Sequence, residues 1–148
     1  MGNTKSKSYL QLFRNGVIET VNADTLAPYD GKLFLPSLKV LDFEQQVIRS
    51  IKDSLALYKS INMETPIYAF LTFLGIRGYI LQSSRVEWRR GPAPQIDIDI
   101  LSSNQLIIQD YSFNVEGELK PLFDIIWNAF GLEKSRNYDD LGKWIGPK

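Results

Sequence analysis

The sequence contains no histidine and no cysteine among its 148 residues. The first absence excludes a histidine general base, a histidine metal ligand and a Ser-His-Asp triad within this chain. The second excludes thiolate nucleophiles, disulfides and zinc sites built from cysteine or histidine. Catalysis by this chain alone would therefore depend on carboxylates, lysine, arginine, tyrosine, serine or threonine.

Excess charge and long apolar runs are also missing. The 17 basic and 17 acidic residues balance, which argues against a protein that coats nucleic acid but is compatible with a local basic patch. No apolar run approaches the roughly 20 residues of a transmembrane helix, and the first residues lack the apolar core of a secretory signal. With the missing cysteines, this predicts a cytoplasmic protein without a membrane span.

The first residues, MGNTKS, match the M-G-x-x-x-[ST] pattern for myristoylation at Gly2. The alternative is a plain start codon or a cloning junction. A single acyl chain with two nearby lysines would in any case bind a membrane only weakly. We expect residues 1–8 to form a flexible N-terminus.

Apolar spacing predicts two amphipathic helices. The first spans residues 42–60, with Asp42 as its N-cap and with charged side chains, Glu44 among them, on the faces away from the core. The second contains Leu119 to Phe130, with Pro121 in its first turn and Gly131 just beyond its last turn.

Short β-prone runs predict the strands. Two of them flank Asn15-Gly16, which predicts a hairpin with a two-residue type I′ turn. The run PIYAFLTFLG, which begins at Pro66, predicts a central strand that is covered on both faces. Further strands are predicted at residues 32–35, 79–82 and 105–111.

The order of these elements lacks the regular strand–helix alternation of a doubly wound sheet. It predicts an α+β fold: a mainly antiparallel sheet of about five to six strands, with two amphipathic helices packed on one face. The length of the chain fits a single domain over residues 1–148. We expect residues 133–148 to form a C-terminal tail that packs on the body.

The stretch QIDIDI places Asp97 and Asp99 two residues apart, so that both carboxylates would share one face of a strand. Such a pair holds Mg²⁺ in phosphoryl and nucleotidyl transferases. Those enzymes place the pair after a Gly-Ser motif, with a helix between the two. Here the nearest preceding glycine is Gly91, there is no Gly-Ser dipeptide, and the interval leaves no room for a helix. The alternative is structural: the aspartates cap a turn or accept backbone hydrogen bonds while isoleucines anchor the segment in the core.

The stretch VEWRRG places Arg85, Arg89 and Arg90 around Trp88. The arginines would grip phosphates while the indole stacks on a base, which predicts a nucleic-acid-binding loop. The alternative is a surface loop in which the tryptophan packs against the body and the arginines are solvated or pair with Glu87.

The C-terminal segment is rich in aromatic and charged residues. Arg136, Tyr138, Asp139 and Trp144 are candidates for a partner- or ligand-binding pocket, because pockets combine aromatic walls with a few polar groups. A tail that wraps around the fold and caps it would have the same composition.

Four segments carry a family resemblance when they are taken in order: YLQLFRNGVIETV, PIYAFLTFLGIRGY, QIDIDILSSNQLIIQDY and LKPLFDIIWNAFGLEKSRNYDDLGKW. The matching positions are Arg14-Asn15-Gly16, Leu74-Gly75, Gly78-Tyr79, Ile96-Asp97, Asp99, Leu101, Asp110-Tyr111, Leu119, Pro121, Asp124, Trp127-Asn128-Ala129, Gly131, Ser135 and Asn137-Tyr138-Asp139. They resemble the C-terminal region of bacterial proteins that begin with a Schlafen-type AlbA domain, a module associated with nucleic-acid or nucleotide binding. The pattern departs at Ser102-Ser103-Asn104, where that region has an apolar residue and a proline, and the AlbA domain itself is outside the match.

The resemblance implies a bacterial or phage protein with no catalytic residues and no cofactor to carry over. It favours a non-enzymatic sensor or interaction module, the companion of a nucleic-acid-binding regulatory or defence protein. The partner would be another protein or the chain's own upstream domain. Two alternatives remain from the residues: nucleic-acid binding by the Arg85–Arg90 loop, and Mg²⁺-dependent transfer chemistry at Asp97 and Asp99. No sequence feature specifies an oligomeric state.

Overall fold

The computed structural model describes residues 8–23, 25–27, 37–86 and 92–146. The described strands are β1 (Ser8–Leu12), β2 (Ile18–Asn22), β3 (Leu26–Ala27), β4 (Ser37–Lys39), β5 (Ile67–Ala69), β6 (Thr72–Leu74), β7 (Ile80–Gln82), β8 (Ile100–Ser102) and β9 (Leu106–Ile108). The described helices are α1 (Val40–Ser60) and α2 (Val115–Ala129). The predicted α+β class is therefore confirmed.

The strands are divided among several small sheets, whereas the sequence predicted one sheet of five to six strands. β1 pairs with β2, β5 with β9 and β6 with β8, each pair antiparallel. β3, β4 and β7 form a three-stranded sheet in that order, in which β4 and β7 run parallel. The described strands are two to five residues long because turns and a bulge interrupt the ladders.

The β1–β2 hairpin confirms the position of the predicted turn but not its type. Phe13 donates its backbone N–H to the Val17 carbonyl at 2.8 Å, which closes a loop longer than two residues. Gly16 has a positive φ of 85°, whereas Asn15 does not. A type I′ turn needs positive φ at both central residues, so the predicted turn type is wrong.

Helix α1 buries the apolar stripe that its spacing predicted. Phe43, Ile48 and Leu55 are among its buried residues. The helix begins at Val40, two residues earlier than predicted, because β4 runs directly into it. Asp42 therefore lies in the first turn, where a carboxylate interacts favourably with the helix dipole, and is not the N-cap.

Helix α2 also begins earlier than its apolar spacing predicted. Asn114 is the N-cap, and its side-chain oxygen accepts a hydrogen bond from the Gly117 N–H at 3.3 Å. Pro121 consequently lies in the second turn and not in the first. The predicted stop is confirmed: Gly131 adopts a φ of 78° just after the helix.

Strands β5, β6, β8 and β9 form one antiparallel ribbon with a bulge in its middle. β5 pairs with β9 in one register, and β6 pairs with β8 in a register shifted by one residue. The extra residue is accommodated around Ser103, whose N–H donates to the Leu71 carbonyl at 2.8 Å. Its hydroxyl accepts the Leu71 N–H at 3.2 Å, so both backbone groups of Leu71 are satisfied at the bulge. We call residues 67–74 with residues 100–108 the ribbon.

Hydrogen bonds beyond β6 link the ribbon to the three-stranded sheet. Ile76 donates its N–H to the Asp99 carbonyl at 3.2 Å, and Gly78 donates to the Ile96 carbonyl at 2.8 Å. An isolated antiparallel bridge then joins Gln95 to Ile80, the first residue of β7. The ribbon and the three-stranded sheet are therefore joined by backbone hydrogen bonds, whereas β1 and β2 form a separate two-stranded sheet.

The two faces of the ribbon differ in burial. On the inner face, Phe73 is buried and its ring lies 4.8 Å from that of Phe43 in α1. On the outer face, Tyr68, Phe70 and Leu74 are exposed. The prediction that this segment is covered on both faces is therefore wrong. Its apolar composition is that of a strand buried on both sides, but in the described structure α1 packs against the inner side and the outer side is exposed.

Some predictions fall on residues that the structure does not describe. The strand predicted at residues 32–35 is one of them, as are residues 1–7 of the expected flexible N-terminus and residues 147–148 of the tail. Ser8, the last residue of that expected N-terminus, is the first residue of β1.

Candidate functional site

Asp97 and Asp99 are exposed and lie before β8, outside any strand. The strand alternative for QIDIDI, which would place both carboxylates on one face, is therefore not present at residues 96–99. The isoleucines also divide: Ile96 is buried, whereas Ile98 and Ile100 are exposed. Residues 96–99 do not form a β-strand, because their backbone hydrogen-bonding partners lie in the turn around Gly75 and Gly78.

Neither aspartate carboxylate makes a hydrogen bond within the part of the chain that the structure describes. The turn-capping role expected for these side chains is therefore not observed, although the Asp99 backbone carbonyl accepts a hydrogen bond. Within the same residues, no group of three or more acidic side chains could hold a metal ion.

The candidate nucleic-acid loop is described only at its start. Trp88, Arg89 and Arg90 lie outside the described residues. Arg85 is half-buried, and its guanidinium Nη2 donates to the Gly146 carbonyl at 2.8 Å. The side chain of Arg85 is therefore engaged with the C-terminal segment.

The four candidates in the C-terminal segment make internal contacts. Tyr138 is buried, and its hydroxyl donates to the Glu116 carbonyl at 2.7 Å. The Asp139 carboxylate accepts the N–H groups of Leu141 and Lys143, which closes a turn. Exposed Arg136 donates to the Arg85 carbonyl at 3.2 Å.

The fourth candidate, Trp144, contacts the buried carboxylate of Glu44, a residue that the sequence prediction placed on a solvent-facing side of α1. The Trp144 indole N–H donates to Oε2 of Glu44 at 3.2 Å. Glu44 is fully buried, so its assignment to a solvent-facing side of α1 is wrong. Its position three and four residues before Val47 and Ile48 puts it within the apolar stripe, which was the available signal.

Four donors surround the Glu44 carboxylate. Oε1 accepts hydrogen bonds from Trp127 Nε1 at 2.8 Å and from Ser135 Oγ at 2.9 Å. Oε2 accepts from Asn137 Nδ2 at 2.8 Å and from Trp144 Nε1. We call these five residues the Glu44 cluster. It joins α1 to the last residues of α2 and to the segment that follows.

The chemistry of this cluster is that of a structural anchor. Burial raises the pKa of the Glu44 carboxyl, and the hydrogen bonds from Asn137, Trp127, Ser135 and Trp144 oppose that rise. No lysine or arginine among the described residues forms an ion pair with it. A carboxylate has about four acceptor positions, and all four are used internally. None is left for a substrate.

A shallow groove of about 390 Å³ lies between α1 and the segment that enters α2. Leu55, Tyr111 and Phe113 form its apolar part, and Lys59 lies at its side. Lys52, which also lines it, is paired with Glu116. This pairing occupies one of the two lysines that line the groove.

Exposed apolar side chains among the described residues gather in two places, the β1–β2 hairpin and the outer face of the ribbon. Five exposed apolar side chains lie along its two strands: Tyr68, Phe70, Leu74, Ile100 and Ile107. We call these five, with the polar pair Thr72 and Ser102 between them, the ribbon face. Cross-strand pairing holds Tyr68 opposite Ile107 and Leu74 opposite Ile100. The sequence shows that residues 66–75 are apolar, but it does not indicate that one side of this segment is exposed.

Among the described residues, no helix has the length and apolarity that crossing a membrane requires. Compared with known proteins, the chain matches no family model, no curated sequence and no solved structure.

Proposed function

We propose that this chain is a non-enzymatic interaction module that binds another protein through the ribbon face. The observation that carries the proposal is the exposure of this face: Phe70 is 68% exposed and Leu74 is 66% exposed. A contiguous exposed apolar surface on a folded protein marks an interaction site, whereas single exposed apolar residues are common.

The composition of the ribbon supports this use. Residues 67–74 and 100–108 contain no charged residue, and depletion of charge distinguishes the centre of a protein interface from the remaining surface. Large side chains occupy the outer positions of both strands, while Thr72 and Ser102 supply a small polar centre. A surface adapted only to water would carry lysine or glutamate at these positions.

In the setting that the resemblance implies, the module accompanies a nucleic-acid-binding regulatory or defence protein in the cytoplasm of a bacterium. The bound protein is then a subunit of that system or a domain of the same polypeptide. The Glu44 cluster supports this role indirectly, because it fixes α1, whose Phe43 packs on Phe73 of the inner face, to α2 and the C-terminal segment.

Affinity capture tests the proposal. The chain is immobilised and exposed to an extract of its native host, beside a variant with Phe70→Thr, Leu74→Thr and Ile100→Thr. Threonine supplies the β-branched shape that strands favour while it removes apolar area. We expect wild type to retain at least one defined protein, including a second copy of this chain, and the variant to lose it about tenfold or more.

A matched control carries Leu10→Thr, Leu12→Thr and Leu141→Thr, which alters three leucines that are at least half exposed and lie away from the ribbon. The control should capture the same proteins as wild type. If no captured protein depends on the ribbon-face substitutions, or if the control loses them equally, the face is not the binding surface.

A further inference from the structure

We infer that the Glu44 cluster is a pH-sensitive switch, which holds the segment after α2 firmly on α1 while the Glu44 carboxyl carries a proton and less firmly once that proton is lost. We call residues 130–146 the closing segment. Neither the ribbon face nor a bound protein takes part in this switch, which therefore goes beyond the proposed function.

The attachment of the closing segment to α1 depends on a single titratable group. Ser135, Asn137 and Trp144 donate the three side-chain hydrogen bonds that join the two within the described residues. All three end on the Glu44 carboxyl. Other polar anchors of the segment lie on other elements, such as the hydrogen bond from the Tyr138 hydroxyl to a carbonyl of α2. A change in the charge of Glu44 therefore acts on every side-chain hydrogen bond between the segment and α1.

No cation among the described residues offsets the charge of an ionised Glu44. On α1 itself the side chains one turn away are apolar: Val40, Leu41, Val47 and Ile48. The surrounding elements contribute these charged or titratable groups: Lys52 from α1, Glu116, Lys120 and Asp124 from α2, Arg136 and Tyr138 from the closing segment, and Arg85. The two lysines pair with the α2 carboxylates, and both arginines donate to backbone carbonyls. An ionised Glu44 is thus buried with neutral donors alone, which makes its charge costly.

The cluster has two arrangements that differ by one proton. The ionised Glu44 carboxylate accepts all four hydrogen bonds. When it is protonated at Oε2, its O–H needs an acceptor, and Oδ1 of Asn137 is buried without a hydrogen-bond partner among the described residues. A half-turn of the Asn137 amide exchanges Oδ1 with Nδ2, which lies 2.8 Å from Oε2, so that Oδ1 accepts the proton. Oε1 keeps Trp127 and Ser135 in both arrangements. The proton comes from water on the side of Trp144, the half-buried member of the cluster.

The carboxyl makes four hydrogen bonds in either arrangement, so the two differ mainly in buried charge. Burial disfavours the ionised form and raises the pKa of Glu44, although the four donors oppose the rise. In the unfolded chain the carboxyl titrates in the ordinary range of glutamate. A carboxyl whose pKa is higher in the folded state contributes stability that is present below the unfolded pKa and is lost as the pH rises through the folded pKa. The closing segment is therefore held most firmly at low pH.

An NMR titration of two indole N–H groups tests the switch. The Trp127 and Trp144 indoles donate to Glu44, so their signals change when the carboxyl gains or loses its proton. We expect both signals to move with one shared midpoint that lies above the ordinary range of glutamate. The amide of Ile145, which donates to the Asn137 carbonyl at 2.8 Å, reports on the closing segment. Its protection from hydrogen exchange should fall about threefold or more as the pH rises through that midpoint.

Two substitutions and one distant amide serve as controls. Glu44→Gln keeps the size of the side chain and cannot titrate, so the indole signals and the Ile145 protection should become independent of pH. Glu116→Gln removes another carboxylate near Tyr138 and should leave the midpoint in place. The Gly78 amide, which donates to the Ile96 carbonyl outside the cluster, should keep its protection throughout.

The wild-type signals suffice even if Glu44→Gln does not fold. A midpoint within or below the ordinary range of glutamate overturns the inference, because Glu44 is then an ionised anchor whose charge stabilises the fold. A raised midpoint with constant protection of Ile145 also overturns it, since the proton would then not control the closing segment.

Discussion

Glu44→Ala is expected to lower the free energy of unfolding by about 3–5 kcal/mol, the cost of removing one member of a buried polar network. The substitution leaves Trp127, Ser135, Asn137 and Trp144 with donors that point into a cavity where no acceptor remains. Each unsatisfied buried group costs about 1–3 kcal/mol, and local relaxation limits the total. Against the about 5–15 kcal/mol of a typical domain, this is a large fraction of the stability.

Urea denaturation followed by tryptophan fluorescence measures this loss, since two of the four donors are indoles. Gln45→Ala is the matched control: it alters the next residue of α1, which is exposed, and should change the free energy by less than about 0.5 kcal/mol. Equal stabilities of Glu44→Ala and Gln45→Ala would show that the cluster does not hold the helices together.

Phe123→Ala is expected to cost about 3–5 kcal/mol, the range for deleting a fully buried phenylalanine side chain. The Phe123 ring is completely buried, with its centroid 6.0 Å from that of Phe43 and 6.3 Å from that of Tyr138. Its removal opens a cavity where α1, α2 and the C-terminal segment meet.

The control for this substitution is the same change at an exposed site, Phe70→Ala. Phe70 lies on the ribbon face, so its removal creates no cavity and should change the free energy of unfolding by less than about 1 kcal/mol. Urea midpoints of both variants, measured under identical conditions, provide the comparison. A cost at Phe70 as large as that at Phe123 would place the ribbon face in the core.

Periodicity predicted both helices and the hairpin because each depends on residues that are close in sequence. The same periodicity places Glu44 within the apolar stripe of α1 and so indicates its burial. A charged residue is nevertheless expected to face solvent unless hydrogen-bonding partners for it are known. Those partners are distant: Trp127 is 83 residues away along the chain. Whether four donors reach the Glu44 carboxylate depends on the tertiary fold. The spacing of residues along α1 does not predict it.

The expected resemblance included Trp127, Ser135 and Asn137 among its matching positions but gave no physical reason for them. In the structure, all three donate to the same carboxylate. Their role is therefore to close the fold around Glu44. The candidate pocket at Tyr138 and Trp144 depends on the aromatic and charged composition of the C-terminal segment. That composition does not distinguish the wall of a binding pocket from a tail packed on the fold.

The ribbon face illustrates a second limit. An apolar run predicts burial, and residues 66–75 were expected to be covered on both sides for that reason. The run does not specify whether the covering surface belongs to the same chain or to another one. Only the packing of α1 against the inner face, through Phe43 and Phe73, separates the two sides of the ribbon.

The central claim is that the apolar side chains of the ribbon face serve binding and not folding. Urea denaturation of the Phe70→Thr, Leu74→Thr and Ile100→Thr variant tests it most directly, at a concentration low enough for both proteins to be monomeric. The expected free energy of unfolding lies within about 1 kcal/mol of wild type, because threonine is accepted at exposed strand positions. A loss of about 3 kcal/mol or more would match a core deletion and would contradict the claim.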